Sequence, residues 1–552
     1  MNKKRHFKLD FWSIITLIIV IVFAIFLVYP LFSLFLSGFK DPGTQNFTLN
    51  NFLKFFQKKY YYRTLGHSFL VTTCTTLLAV AIGAPLAYLT TVYKVKCKGL
   101  IDILIIISML SPPFIGAYSW IILGGRSGVI TKFFASVFGI ETPSIYGFGG
   151  ILLVLTLKLY PYIYLYTTGA LKKVDSSLSE AAESLGCNPI RKVTTVILPL
   201  ITPTILAGSL LVFMNALADF GTPMLIGEGY TVMPVLIYNE FISEMGGQAN
   251  FAAALAVILV IITGFMFLGQ KYVVNKKSFT MSSLRPIQAK QLHGGKNLLL
   301  HIPIYFIVFL SIIPQAIVFY TSFKATNGAM FTDGFSLESY KSIFHNLGKP
   351  ILNTYKFGFT AIIIIVLLAM FIAYITTRKK SPLTGMIDSM TMFPYIIPGS
   401  VLGITLLLAF NKKPLLLSGT AVIIIVAFVV RRLPYTLRSS AAILYQISPS
   451  MEEAAISLGD SPLKTFFKVT AIMMLPGVLS GAILSWITII NELSASVILY
   501  TGDTRTMSVS IYTEVIRASY GTAAALASIL TLTTIASLLI FFKLSGKKEI
   551  SL

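Results

Sequence analysis

The chain has 552 residues, 55% of them hydrophobic and only 12% charged, with a formal net charge of +23. Soluble globular chains carry about 25% charged residues, so this balance excludes an ordinary soluble fold and points to a polytopic membrane protein. Three cysteines (Cys74, Cys97, Cys187) and five scattered histidines give no disulfide framework, no zinc or iron cage, and no firm metal site.

Apolar runs of bilayer-spanning length begin at Phe11–Leu36 and recur along the chain. They are continuous rather than alternating, which predicts helices and not a barrel. About twelve spans are expected, centred near Val22, Leu78, Ser111, Tyr160, Gly208, Val260, Leu310, Val366, Val401, Ala427, Leu484 and Leu530. The first is too long for a cleaved signal peptide, and no small-residue cleavage site follows it. With the N-terminus inside, the inside segments hold 26 of the 44 Lys and Arg and the outside segments 14. Lys158, Lys356, Arg431 and Arg432 fall in or at the edge of spans. This bias predicts cytoplasmic N- and C-termini in a multi-pass protein of the cell (inner) membrane. No basic stretch is interleaved with aromatics, so the positive charge reads as topology rather than nucleic-acid binding.

The chain is a duplication. Ala87-Tyr88-Leu89-Thr90-Thr91 recurs as Ala373-Tyr374-Ile375-Thr376-Thr377, with Asp102 matching Asp388 and Pro112 matching Pro398, all at an offset of 286. Lys158-Leu-Tyr-Pro161-Tyr162 recurs as Arg431-Arg-Leu-Pro434-Tyr435, at an offset of 273. The first half therefore carries 13 extra residues, placed in the external loop around 124–146. Two parallel six-helix repeats follow, related by an axis along the membrane normal. They divide as residues 1–275 and 298–552, joined by a basic cytoplasmic linker over 276–297.

Each half also carries one short polar helix signal. The first reads Ser177-Leu-Ser-Glu180-Ala181-Ala182-Glu-Ser-Leu185-Gly186-Cys-Asn188-Pro189 and the second Ser450-Met-Glu-Glu453-Ala454-Ala455-Ile-Ser-Leu458-Gly459-Asp-Ser461-Pro462. Ser177 with Glu180, and Ser450 with Glu453, predict capping boxes. Gly186 and Gly459 suit a left-handed helix end, and Pro189 and Pro462 the first turn of a second helix. The result is helix, tight turn, helix, outside the membrane and on one side of it. The paired alanines keep that surface low, so a partner can approach closely. An ordinary capped interfacial helix would explain either copy alone, but not two copies at matched depth.

The pattern Glu-Ala-Ala, Gly, then Leu198-Pro199 resembles the signature loop of permease subunits of ATP-binding-cassette (ABC) importers. In the second copy Ile472 stands where that proline is expected, while Pro203 and Pro476, then Gly208 and Gly481, restore the match. The resemblance covers nearly the whole chain as two fused halves and implies the type I ABC importer permease fold. It also implies that the loops at 177–190 and 450–463 are coupling helices docking on a homodimeric ABC ATPase. Glu180, Ala181, Ala182, Gly186, Glu453, Ala454, Ala455 and Gly459 are then the coupling residues. An external solute-binding protein and the lipid bilayer are the other partners.

No stretch fits G-x-x-x-x-G-K-[ST], and no soluble segment is large enough for a nucleotide domain. The chain is therefore not expected to be an enzyme or to bind a cofactor; ATP and Mg belong to the partner. A secondary transporter would place more ionisable residues in mid-membrane.

Two carboxylates, Asp219 and Glu492, lie at matched positions beside Asn215 and Asn491. Such a pair is expensive near a span. It offers hard oxygen ligands to a cation, or else caps helix ends through neighbouring backbone groups. Asn215, Asp219, Asn491 and Glu492 are the candidate solute pathway, whereas Lys158 and Arg431 read as snorkelling or locally paired. The segments Asp219-Phe-Gly-Thr-Pro223 and Glu492-Leu-Ser-Ala-Ser496 resemble those of fused ferric-iron importer permeases, with Ser494 and Ser496 departing from the Pro and Thr of that family. Ferric iron is the expected solute. 2-Aminoethylphosphonate, thiamine and polyamines are handled by related fused permeases. Loop 228–249, with Glu228, Glu240 and Glu244 and no Lys or Arg, offers an acidic face to the binding protein.

Overall fold

The computed structural model describes residues 11–44, 46–109, 112, 115–242, 248–276, 285, 288–328 and 330–545. They are almost wholly helical. The two strands, Lys324–Asn327 and Met330–Phe335, form one antiparallel hairpin after the first long helix of the second half.

Ten helices are long and apolar enough to cross a membrane. Nine coincide with expected spans, from Phe11–Gly38 to Tyr520–Phe541. The span expected at Ser111 is displaced: Ser111 itself lies outside the described residues, and the qualifying segment is Ile115–Phe138. The span expected at Val401 is a broken one. Helices Pro382–Ile396 and Gly399–Phe410 pass the test together but meet at 112°, because Pro398 between them cannot continue a helix from the preceding residue. The span expected at Ala427 is the 26-residue helix Ala421–Gln446. It is long enough, but Arg431, Arg432 and Arg438 along its second half keep it from being uniformly apolar.

The repeat is visible in the packing. In the first half, helices Lys59–Val92, Phe148–Leu171 and Leu198–Leu217 pack on one another; in the second, Gly348–Arg378, Ala421–Gln446 and Ala471–Ile490 do the same. The two halves differ where the sequence inserts residues: helix Val129–Phe138 lies in the longer connection of the first half, and a loop alone joins Phe410 to Ala421.

The first helix of each half packs on the other half. Phe11–Gly38 lies on Gly348–Arg378 and Gly399–Phe410, with the Trp12 ring 4.3 Å from Tyr374 and 5.2 Å from Phe466. Gly295–Ser322 lies on Lys98–Met109 and Ile115–Gly124. There Ser119 Oγ donates to the Pro314 carbonyl at 2.7 Å and Ser311 Oγ to the Tyr160 hydroxyl at 2.9 Å. Inside a bilayer such interhelical bonds satisfy groups that have no water to turn to. The outer surface instead carries large apolar side chains such as Leu17, Phe32, Phe265, Phe309 and Phe359, as a lipid-facing surface requires.

Residues 277–284 and 286–287 of the expected linker lie outside the described residues. Its described part returns along the first half: the Lys290 N–H donates to Val92 O at 2.8 Å, and the Lys94 N–H to Lys290 O at 3.0 Å.

Candidate functional site

Both polar signals fold as helix, turn, helix. The first runs Ser176–Ser184 then Pro189–Lys192; the second Pro449–Ser457 then Pro462–Thr465. The expected capping boxes do not form. The N-caps are Asp175 and Ser448, whose side chains accept from the Ser177 N–H at 2.9 Å and the Ser450 N–H at 3.4 Å. The helices thus begin at Ser176 and Pro449, before the positions a Ser-x-x-Glu box requires, so Ser177 and Ser450 lie inside the first turn and cannot serve as N-caps.

The far ends match expectation residue for residue. Gly186 and Gly459 have φ of +76° and +96°. Cys187 N–H donates to Ala182 O at 3.0 Å and Asp460 N–H to Ala455 O at 3.1 Å, the backbone closure of a left-handed helix end. Asn188 and Ser461 then cap the second helices, with Pro189 and Pro462 at the first turn. Each second helix passes through one π-helical turn, Val193–Ile197 and Phe466–Thr470, before its long span. Interruptions of this kind gather at functional sites, and here one occurs at the same place in both halves. The span start that Ile472 left open is continuous helix over Pro462–Ile490.

Glu180, Ala181, Gly186, Glu453, Ala454 and Gly459 are exposed, Ala455 is half-buried and Ala182 is buried. At the tips Leu185 is 84% exposed and Leu458 89%. A leucine so exposed at both matched positions, beside glycines with open space around them, is what a docking surface presents.

The roots of the two elements differ. Glu452 is buried; its carboxylate accepts from the Tyr374 hydroxyl at 2.9 Å and pairs with Arg378 at 3.1 Å. In the first half Ser179 occupies the equivalent position, and the helix is held by the linker instead. Ser176 N–H donates to Arg285 O at 2.8 Å, Arg285 N–H donates to Asp175 Oδ2 at 3.2 Å, and Glu183 pairs with Lys192 at 2.5 Å and Lys290 at 3.1 Å. Hydrogen bonds from Lys192 and then Lys290 hold the Glu183 carboxyl below its ordinary pKa.

The candidate pathway residues converge on a cavity of about 160 Å³ between the halves, lined by Lys158, Tyr162, Asn215 and Asp219 from one and Arg431, Arg432, Tyr435, Asn491 and Glu492 from the other. Lys158 and Arg431 do not snorkel. Lys158 pairs with Asp219 at 2.6 Å and Arg431 with Glu492 at 2.5 Å, and Arg432 also pairs with Glu492. Each carboxylate closes a turn as well: Asp219 accepts from the Thr222 N–H at 2.9 Å and Glu492 from the Ala495 N–H at 3.2 Å. Asn215 and Asn491 both donate to the carbonyl four residues back, at 2.8 Å. The lysine or arginine and the acid thus occupy one geometry twice, whereas the asparagines differ: Asn215 precedes its acid by four residues and Asn491 by one. Arg432 was legible only as an edge residue of a span; Glu452 carried no signal. Among the described residues no three of His, Cys, Asp or Glu are grouped so as to hold a metal ion.

At the opposite end from the two polar helix-turn-helix elements a second cavity, of about 570 Å³, is lined by Lys59, Arg63, His67, Glu228 and Tyr230. Glu228 of the acidic loop pairs with Arg126 at 2.9 Å, and Glu244 lies outside the described residues.

Two repeats of membrane-crossing helices around a shared charged cavity, each with an exposed helix-turn-helix element on one side, define the membrane subunit of a transporter. The sequence profile of the family described as "Binding-protein-dependent transport system inner membrane component" matches residues 79–278 and 365–548. The chain belongs to this family and is a multi-pass inner-membrane permease of an ABC importer, a class that works with an ATPase and a solute-binding protein. It is 29% identical to the ferric transport system permease protein FbpB of Actinobacillus pleuropneumoniae over 98% of this chain and 78% of that one. It is 28% identical to the putative ferric transport system permease protein FbpB 1 of Haemophilus influenzae, over 89% of this chain and 78% of that one. The spermidine/putrescine permease PotB of Escherichia coli is 27% identical over 40% of this chain and 81% of its own length.

Proposed function

We propose that this permease carries ferric iron, delivered by an external binding protein, into the cytoplasm by alternating access. The observation that carries the reading is the matched pair of coupling elements, capped alike at Gly186 and Gly459 and tipped by Leu185 and Leu458, beneath a cavity shared by both halves. A separate homodimeric ATPase engages the two tips at once. Closure of that dimer, driven by ATP and Mg that it alone binds, rocks residues 1–275 against 298–552 about the linker at 276–297. Glu180, Ala181, Ala182, Glu453, Ala454 and Ala455 form the floor of the docking contact. Asn215, Asp219, Asn491 and Glu492 line the route. The coupling elements and both termini face the cytoplasm, in keeping with the bias of Lys and Arg. Iron as the solute is supported by the names of the relatives that align over nearly the whole chain.

The test is uptake of radiolabelled ferric iron by cells making the permease with its ATPase and binding protein. Uptake that requires all three chains, and is lost when Gly186 and Gly459 are both replaced by valine, is the expected result. Wild-type cells that accumulate no iron would refute the solute and leave the importer class standing.

A further inference from the structure

We propose that the cavity between the halves is a site for an oxyanion, with Arg432 as the recognising cation. The inference rests on the importer reading and adds the charge class of what passes.

The cavity is lined by three cations, Lys158, Arg431 and Arg432, and two carboxylates, Asp219 and Glu492. Both carboxylates are spent. Asp219 accepts from Lys158 and the Thr222 N–H. Glu492 accepts from Arg431, Arg432 and the Ala495 N–H, and its side chain is only 3% exposed. The donors are not spent. An arginine offers five N–H groups and a lysine three, and Nε of Arg432 has no acceptor among the described residues. A metal cation entering this space meets two carboxylates already bonded and a positive excess, whereas an anion meets cationic groups that the carboxylates do not fully balance.

The excess comes from one position. Arg432 is the counterpart of Leu159, 273 residues earlier, which lines the same cavity. The first half shows that one cation per carboxylate builds this turn, since Lys158 alone serves Asp219. Arg431 already serves Glu492 in the same way. Arg432 is therefore surplus to the local fold, and a surplus buried guanidinium is costly unless something negative joins it. The volume is about 160 Å³. That suits a phosphate- or carboxylate-sized group. Such a group has two sources: the oxygen ligands of a ferric complex that crosses as an anion, or a free solute bearing a phosphonate or phosphate.

The test uses the permease with its ATPase in lipid nanodiscs, and proteoliposomes that also receive the binding protein. Equilibrium dialysis measures binding of [32P]phosphate and [14C]citrate. The wild type is expected to bind at least one of them saturably. Arg432→Leu, which copies the first half, is expected to weaken binding roughly tenfold or more, with Arg432→Lys retaining most of it. In proteoliposomes, 55Fe entering in fixed ratio with labelled citrate or phosphate assigns the anion to a ferric complex. Labelled 2-aminoethylphosphonate entering without iron assigns it to a free solute; that result refutes iron and upholds the anion site. Iron entering with no labelled anion, into a wild type that binds none, overturns the site and leaves the iron reading intact. Equal binding by wild type and Arg432→Leu also overturns it. If Arg432→Leu does not fold, the wild-type measurements still decide.

Discussion

The carboxylate of Glu452 accepts a hydrogen bond from the Tyr374 hydroxyl at 2.9 Å, tying the root of helix Pro449–Ser457 to the long helix Gly348–Arg378. The same carboxylate pairs with Arg378, which also donates to the carbonyls of Leu444 and Ile447. Its counterpart Ser176–Ser184 lacks these partners: Tyr88 is kept, but the acid is Ser179 and the arginine is Val92.

Replacing Glu452 by alanine leaves the partly buried Arg378 without its counter-charge. Breaking a buried pair from one side costs about 3–5 kcal/mol, and the slight exposure of both side chains places this one nearer 2 kcal/mol. Thermal unfolding of the detergent-solubilised permease should fall for Glu452→Ala and far less for Ser179→Ala. Equal shifts in the two variants would show that the tie is not structural.

At Gly186 and Gly459, valine must adopt a left-handed backbone that costs a side-chain-bearing residue about 1–2 kcal/mol. Nothing in the permease lies within 4 Å of either new Cβ, so the helices should survive with their tips displaced. The double variant should insert normally yet lose roughly tenfold of its transport per ATP hydrolysed, since each ~1.4 kcal/mol lost from a partner contact is tenfold. Simultaneous assays of uptake and ATPase activity in proteoliposomes measure this; undiminished coupling would remove the docking role.

Asp219→Asn leaves Lys158 beside an amide, and Lys158→Met leaves Asp219 with a backbone donor alone. Each single change should destabilise by about 1–3 kcal/mol, and the double change by less than their sum, because pairs in contact couple. The cycle is read from denaturation of the purified permease. Strict additivity would mean that the 2.6 Å contact carries no energy.

The Glu183 carboxyl, held down by Lys192 and Lys290, gives a pH dependence of definite sign. A carboxyl whose folded pKa lies below its unfolded value contributes stability above the unfolded pKa of 4.5. It loses that contribution as pH falls through the lower folded value. The linker contact should therefore hold at neutral and mildly acid pH and release only below that range. Hydrogen exchange of the 288–294 backbone against pH follows it, with Glu183→Gln expected to abolish the acid step. A step that persists in the variant would assign it to another group.

Gly399 stands where a Cβ would come within 2.0 Å of Arg431 Nη1 and 2.6 Å of Ser494 Cβ. Gly399→Ala should push Arg431 off Glu492 and lower transport without loss of the coupling helices. Uptake and protease accessibility of the 450–463 loop, measured together, separate the two effects.

Duplication made much of this legible before any coordinates. A signal that is ambiguous once, such as Glu-Ala-Ala before a glycine, becomes specific when it returns at a fixed offset with its cap glycine, as at Gly186 and Gly459. The same logic found Asp219 and Glu492. What periodicity and spacing do not carry is the third dimension. Nothing in the run around Val401 foretells a 112° break, because Pro398 marks a boundary and not an angle. Lys158 and Asp219 are 61 residues apart, so their pairing depends on how two helices are set side by side. The N-caps were misplaced for a local reason: Asp175 and Ser448 can themselves cap, accepting from the Ser177 and Ser450 N–H groups, so the chain turns two residues earlier and the serines fall inside the helix.

The exchange of first helices bears on how the protein is made. Trp12 finds its site against Tyr374 and Phe466, residues that leave the ribosome more than 350 positions later. Until then the helix packs in its own half on Ala249–Lys276, with Asn51 Nδ2 donating to the Gly38 carbonyl at 3.0 Å. The first half must therefore wait in the bilayer with an unclaimed face, and maturation is a clasping of two half-built bodies rather than the closing of one after the other. Two halves synthesised as separate chains would have to find each other before either was finished.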